Sequence, residues 1–264
     1  MKELTYAKSQ MPSIRVVRFD DDDFFARNDA EFKELCEQYV QHVGIPVQFQ
    51  ATMKLTTQAK IDIMRESGFP VDFIKVGLQT GSERVNREIY GRNVTNKGFL
   101  ETFRKLTSNG FRVHADIISD NPFEIFEDKL EALDFYINLC EMLWNVGDHR
   151  KYFDYMDHKL MFYPGTALYT RAVRERKIPR DYMDQVLMKR RTARTLRDLD
   201  LDKLLIGLLK LSLRNRSFVR VMKLLRRYPI LVRAINLRLV KAGVYMLYKA
   251  NPVSYTHLTL PTKA

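Results

Sequence analysis

Two spacings of apolar residues take turns along residues 13–176. "SIRVVRF" (13–19), "PVQFQA" (46–51), "DFIKVGLQ" (72–79), "FRVHADII" (111–118) and "HKLMFY" (158–163) are short, β-branched or alternating, and predict strands. Between them, "DAEFKELCEQYVQHVG" (29–44), "TTQAKIDIMRESGF" (56–69), "TNKGFLETFRKLTSNG" (95–110) and "EIFEDKLEALDFYINLCEML" (124–143) repeat apolar residues at helical spacing, and "GTALYTRAVRER" (165–176) follows the last strand as a helix. In the first helix Phe32, Leu35, Cys36, Tyr39, Val40 and Val43 form the stripe, and Gly44 closes it. Strand and helix therefore alternate, which favours parallel βαβ units with right-handed crossovers. An open doubly wound sheet and part of a β/α barrel both satisfy the pattern.

In either arrangement ligands bind at the C-terminal ends of the strands. Four polar loops fall there: the aspartates 20–23, "LQTGS" (78–82), "ISDNP" (118–122) and "YPGT" (163–166). Taken singly, each is ordinary turn or helix-start chemistry. Taken together, at successive strand ends, they predict a site.

Composition narrows the class. With 264 residues, 45% of them hydrophobic, the chain can bury a sizeable core in one or two domains. No stretch approaches the roughly 20 apolar residues of a membrane span, and "MKELTYAKSQMPS" has no apolar leader region. The expectation is a cytoplasmic protein, with peripheral membrane association left open. Cys36 and Cys140 are far apart on helical patterns, so they are expected to be reduced and buried, and no zinc spacing occurs.

The net charge of +12 is unevenly spread: residues 1–170 hold 21 Lys/Arg against 26 Asp/Glu, and residues 171–250 hold 22 against 6. Residues 185–250 read as basic amphipathic helices. Three uses are open: a cap on the α/β region, an element lying on an anionic membrane with Leu204, Leu205, Leu208 and Leu209 inserted, or a nucleic-acid binder. Few aromatic residues there could stack on bases, which argues against nucleic acid as a partner.

The loops also carry a resemblance. "FDDDDF" (19–24), "LTTQAKIDIMRESGF" (55–69), "VGLQTGSERVNREIYGRNVT" (76–95), "GFRVHADIISDNPFEIFEDKLEALDF" (110–135) and "LMFYPGTALY" (160–169) resemble, in order, the motifs of the radical SAM superfamily. The nearest likeness is to members with a cobalamin-binding domain upstream. It implies an α/β fold, a partial (β/α) TIM-type barrel, followed here by a basic α-helical C-terminal region. It also implies S-adenosylmethionine (SAM), a [4Fe–4S] cluster and 5′-deoxyadenosyl radical chemistry, with cobalamin as a further cofactor of the full-length parent. By the same resemblance Asp21 and Asp22 face the methionine end of SAM, whose cationic amino group would let adjacent carboxylates coexist. Gln79 faces the ribose or carboxylate, Arg92 pairs with the methionyl carboxylate, Asp116 faces the adenosine, and Gln50 is a further candidate.

One departure matters. The family's CxxxCxxC motif, which holds the cluster, is absent, and two separated cysteines cannot replace it. The expectation is that residues 1–176 are the SAM-facing core of a longer enzyme and 177–250 a basic helical region. Residues 251–264 resemble a translated sequencing-adapter tail and are set aside. The parent would perform methyl transfer to, or rearrangement of, an unreactive carbon of a small-molecule or lipid-like substrate. Rival expectations are a non-catalytic barrel remnant docked on membranes and a tRNA-modifying methylthiotransferase.

Overall fold

The computed structural model describes residues 1–145, 151–179, 182 and 201–234. Helix α1 (Lys2–Gln10) precedes β1 (Val17–Phe19), α2 (Asp29–His42), β2 (Val47–Ala51) and α3 (Gln58–Glu66). Then come β3 (Val71–Gln79), α4 (Glu83–Glu88), α5 (Asn96–Ser108), β4 (Val113–Ser119) and α6 (Phe126–Asn145). Strand β5 (Phe153–Lys159), α7 (Ala167–Arg174), α8 (Leu201–Arg214), α9 (Ser217–Arg227) and α10 (Pro229–Ala234) follow.

The five strands are parallel and lie side by side in chain order. A doubly wound sheet reverses its strand order at a switch point; this sheet does not reverse. The choice left open by the hydrophobic pattern therefore falls to the open, barrel-like sheet. Burial alternates strictly along β2 and β4. One phase, including Phe49, Val76, Leu78, Ala115 and Ile117, packs into the core shared with the helices. The other phase is largely polar, with Gln50, Lys75 and His114 in register, Gly77 opposite Asp116, and Gln48 beside Phe73.

Aromatic residues anchor the acidic loop. Phe19 and Phe24 bracket the four aspartates, with ring centroids 5.0 Å apart, and Phe24 lies 4.4 Å from Phe49. The loop is thus pinned at both ends by rings in the core.

Two expectations need correction. The last strand is Phe153–Lys159, not 158–163. Leu160 and Phe162 alternate in burial like strand residues, but they pack off the sheet with Phe123 and Tyr182. Their spacing reports that second apolar cluster rather than a ladder. Of the strand expected over 13–19, only Val17–Phe19 pairs with β2. Helix α1 has no buried residue and hence no apolar period to announce it.

Leu204, Leu205, Leu208 and Leu209 of α8 are buried in the same core as the sheet. Polar contacts fix α8 in place: Lys129 bridges Glu124 and Asp202, Lys203 Nζ lies 3.2 Å from Asp120, and Trp144 Nε1 donates to the Ser212 carbonyl at 2.9 Å. This helix is a cap, and its leucines are not available to lipid. Residues 185–200 and 235–250, and the tail 251–264, lie outside the described residues.

Candidate functional site

The acidic loop divides its labour. Asp20 pairs with Arg18 at 2.7 Å, and Asp21 lies 3.4 Å from the Arg27 guanidinium. Asp23 is the N-cap of the turn Phe24–Ala26; it accepts from the Phe25 amide at 2.9 Å and from the Thr52 amide at 3.0 Å. Asp22 is exposed, and its carboxylate has no partner among the described residues. Its carbonyl accepts from Gln50 Nε2 at 3.1 Å, so Gln50 steadies the loop from the end of β2. Arginines and backbone amides thus account for three of the four charges.

Strand β3 ends on Gln79 with φ of 66°, a left-handed conformation costing a non-glycine residue about 1–3 kcal/mol. The turn brings the Gln79 amide back over Gly77: a Cβ on Gly77 would stand 2.8 Å from Gln79 Nε2 and 3.6 Å from an Arg92 Nη. Glycine here leaves room for the Gln79 amide and the Arg92 guanidinium to close over the strand, a cradle of donors on the polar face. Arg92 Nη1 is buried and has no hydrogen-bond partner among the described residues, and burial pulls the guanidinium pKa below its ordinary value. An unpaired buried N–H of a cation costs a folded chain free energy, so such a group points to a ligand.

Arg92 is held from behind. Its amide donates to the Asn86 carbonyl at 2.8 Å, and its guanidinium lies 5.9 Å from the Phe99 ring. Asn86 is itself tied by Nδ2 to the Thr80 carbonyl. Ser82 caps α4, and its hydroxyl donates to Asp128, which also takes two bonds from Arg84 and one from the Ile125 amide. Burial would raise the Asp128 pKa; these bonds outweigh it and hold the carboxyl below its ordinary value. Asp128 thereby ties the "TGS" loop to α6.

Asp116 lies one step down the polar face, opposite Gly77. Lys75 Nζ reaches it at 2.8 Å and His158 Nε2 at 3.2 Å. Burial would raise its pKa, but hydrogen bonds from His158 and Lys75, and their charges, keep it below the usual carboxylate range. Lys75 and His158 were not among the sequence candidates. Lys75 carried a signal, because it falls on the polar phase of the β3 alternation.

Of the six sequence candidates, Gln79 and Arg92 meet over Gly77, and Gln50 joins Asp22. Asp21 is tied to Arg27, and Asp116 to the lysine–histidine pair. The other loop residues have structural work: Asn121 accepts from the Phe123 amide, and Thr166 caps α7. The two cysteines are buried on α2 and α6, and burial pushes both thiols up to about 12. Protonated thiols on two helices of the core do not fit a cluster, which needs thiolates at one point. No group of metal-ligating side chains occurs among the described residues.

Comparisons with known proteins bear on the family and the fold. The radical SAM superfamily matches the sequence over residues 1–136. The chain belongs to that superfamily. Among solved structures, the fold is similar to that of the cobalamin-dependent S-adenosylmethionine radical enzyme OxsB with aqua-cobalamin bound, with a TM-score of 0.58 at 12% identity. That likeness covers 94% of this chain and 48% of the OxsB chain, so the chain spans about half the length of that relative. A comparison with curated proteins finds no match.

Proposed function

We propose that this chain is the SAM-holding wall of a longer radical SAM enzyme, whose cluster ligands come from polypeptide outside these 264 residues. One observation carries the reading: the buried Nη1 of Arg92, without a partner among the described residues, beside the Gln79 amide over Gly77, at the C-terminal end of β3. A carboxylate seated there would satisfy the guanidinium with a charge-assisted bond. The methionyl end of SAM has a carboxylate and an ammonium side by side. In this reading Arg92 takes the carboxylate, and Asp22, with Asp21 beside it, takes the ammonium. Gln79 reaches the ribose or the carboxylate, and Asp116 turns its remaining lone pairs to the adenosine. Gln50 holds the Asp22 backbone in place. With its cluster, SAM supplies a carbon radical; this chain's part is to bind, orient and exclude water. Methyl transfer to, or rearrangement of, an unreactive carbon is the reaction class we infer, with cobalamin as partner cofactor. The order of the loops and the likeness to OxsB support it.

Calorimetric titration of the chain with S-adenosylhomocysteine, which keeps the carboxylate, ammonium and adenosine, tests the proposal. Saturable binding that Arg92→Ala weakens at least about tenfold is expected, the scale of one charge-assisted bond. No binding by the folded chain, or equal binding by the variant, would overturn it. Anaerobic reconstitution with iron and sulfide should leave this chain without a [4Fe–4S] cluster.

A further inference from the structure

With α8 committed to the core, α9 and α10 carry the basic surface that remains among the described residues after Leu201. Its inward side is occupied. Val219 and Met222 are buried, Lys223 pairs with Glu141, Arg226 Nε lies 2.7 Å from Asp134, and Arg233 stacks on Phe126 at 4.5 Å. The outward side is apolar. Val221, Leu224, Tyr228 and Leu231 are exposed and recur at intervals of three, four and three, and Ile230 beside them is 74% exposed. A soluble helix already packed on a core normally turns a polar face to water.

Charge says what covers this stripe. The chain has no aspartate or glutamate after Asp202. Arg216, Arg220 and Arg227 are exposed, form no ion pair among the described residues, and run at helical spacing along one flank of the stripe. Ordinary exposed helices interleave both signs; this one carries a single sign beside bulky apolar side chains. We propose that α9 and α10 are an interfacial element that seats the protein on an anionic lipid bilayer, with Leu224, Ile230 and Leu231 entering the acyl boundary and Arg216, Arg220 and Arg227 meeting lipid phosphates. The combination is that of helices lying in the membrane interface, where apolar insertion and attraction to anionic lipid add. Among the described residues no helix is long and apolar enough to cross a membrane, which suits attachment from one side. Nucleic acid would leave the apolar stripe in water, and a second copy would bring like charges together. The proposal is independent of SAM binding.

Co-sedimentation of the full chain with phosphatidylcholine vesicles, with and without phosphatidylserine, tests it. Binding to the anionic vesicles should exceed binding to the neutral ones by at least about tenfold, given about fivefold per basic side chain near such a surface. Replacing Arg216, Arg220 and Arg227 with glutamate should abolish the preference. Leu224→Asp with Ile230→Asp should remove the fraction that survives high salt. All five positions are exposed, so unfolding midpoints of both variants should match the parent and exclude misfolding as the cause. Equal binding to both vesicles, no binding by the folded chain, or binding that neither variant changes would overturn the proposal. So would self-association in the absence of vesicles that Leu224→Asp abolishes, which would assign the stripe to a second copy.

Discussion

The Arg92 guanidinium stands against the α-carbon of Gly77: a methyl group there would lie 3.6 Å and 3.8 Å from its two terminal nitrogens. Strand and following segment meet at this point, and both must be right for an anion to fit. Gly77→Ala should therefore separate fold from binding. The new Cβ meets Gln79 Nε2 at 2.8 Å, but that atom is the free end of a flexible side chain. Stability should change by less than about 1 kcal/mol, since alanine also restricts the unfolded chain. Affinity for S-adenosylhomocysteine should fall about tenfold or more as the displaced amide and the methyl crowd the cradle. Calorimetry beside thermal unfolding reads both; a loss of stability with intact binding would contradict this account.

Neighbouring aspartates should respond oppositely. Asp23→Ala removes a cap and the tie to Thr52, and should cost about 1–2 kcal/mol of stability. Asp22→Asn touches no contact within the described residues and should leave the denaturation midpoint in place. It should weaken ligand binding by about 1–3 kcal/mol, the range for hydrogen bonds to charged groups. Chemical denaturation and titration of the two variants side by side would show whether the roles are reversed.

Glu124 gives a pH signature. Its carboxyl is pushed up from 4.5 to about 7, first by burial and then by the charge of Asp202, with Lys129 opposing both. The folded state thus holds this proton more tightly than the unfolded chain. The group's contribution is most favourable below about pH 4.5 and declines as pH rises to about 7, by on the order of 1–3 kcal/mol. His114, held below 6.5 mainly by burial, tilts stability the other way over part of this window. The difference between parent and Glu124→Gln therefore isolates the effect. In urea titrations at pH 5 and pH 8, the variant should gain on the parent at the higher pH.

Leu205→Asp tests the cap. Leu205 is 1% exposed in the shared core, so an aspartate there is a buried, unpaired charge. A loss of at least about 3 kcal/mol is expected, with the unfolding midpoint as the measure. If the variant were fully stable and merely lost vesicle binding, α8 rather than α9 and α10 would be the lipid contact.

Much of the molecule was legible in the sequence, because backbone hydrogen bonding and burial impose fixed periods on local segments. The paired periods located α2, α3, α5, α6 and α7 and four of the five strands to within a few residues, while the short helix α4 was not anticipated. The strand-end loops marked the face on which Asp22, Gln79 and Arg92 lie. Local period failed where burial had another cause: Leu160 and Phe162 alternate because a side cluster takes them, and α1 buries nothing. Tertiary structure decided matters that depend on distant partners. It chose a sheet wound in one direction, and it gave Asp23 to Thr52 and Asp116 to Lys75 and His158. It left Arg92 Nη1 without a partner among the described residues, buried the α8 leucines and turned the α9 stripe outward. A sequence states which side chains are apolar or charged at each turn of a helix. Only the packing of remote segments against one another determines which of those faces meets the core and which is left for a ligand or a lipid.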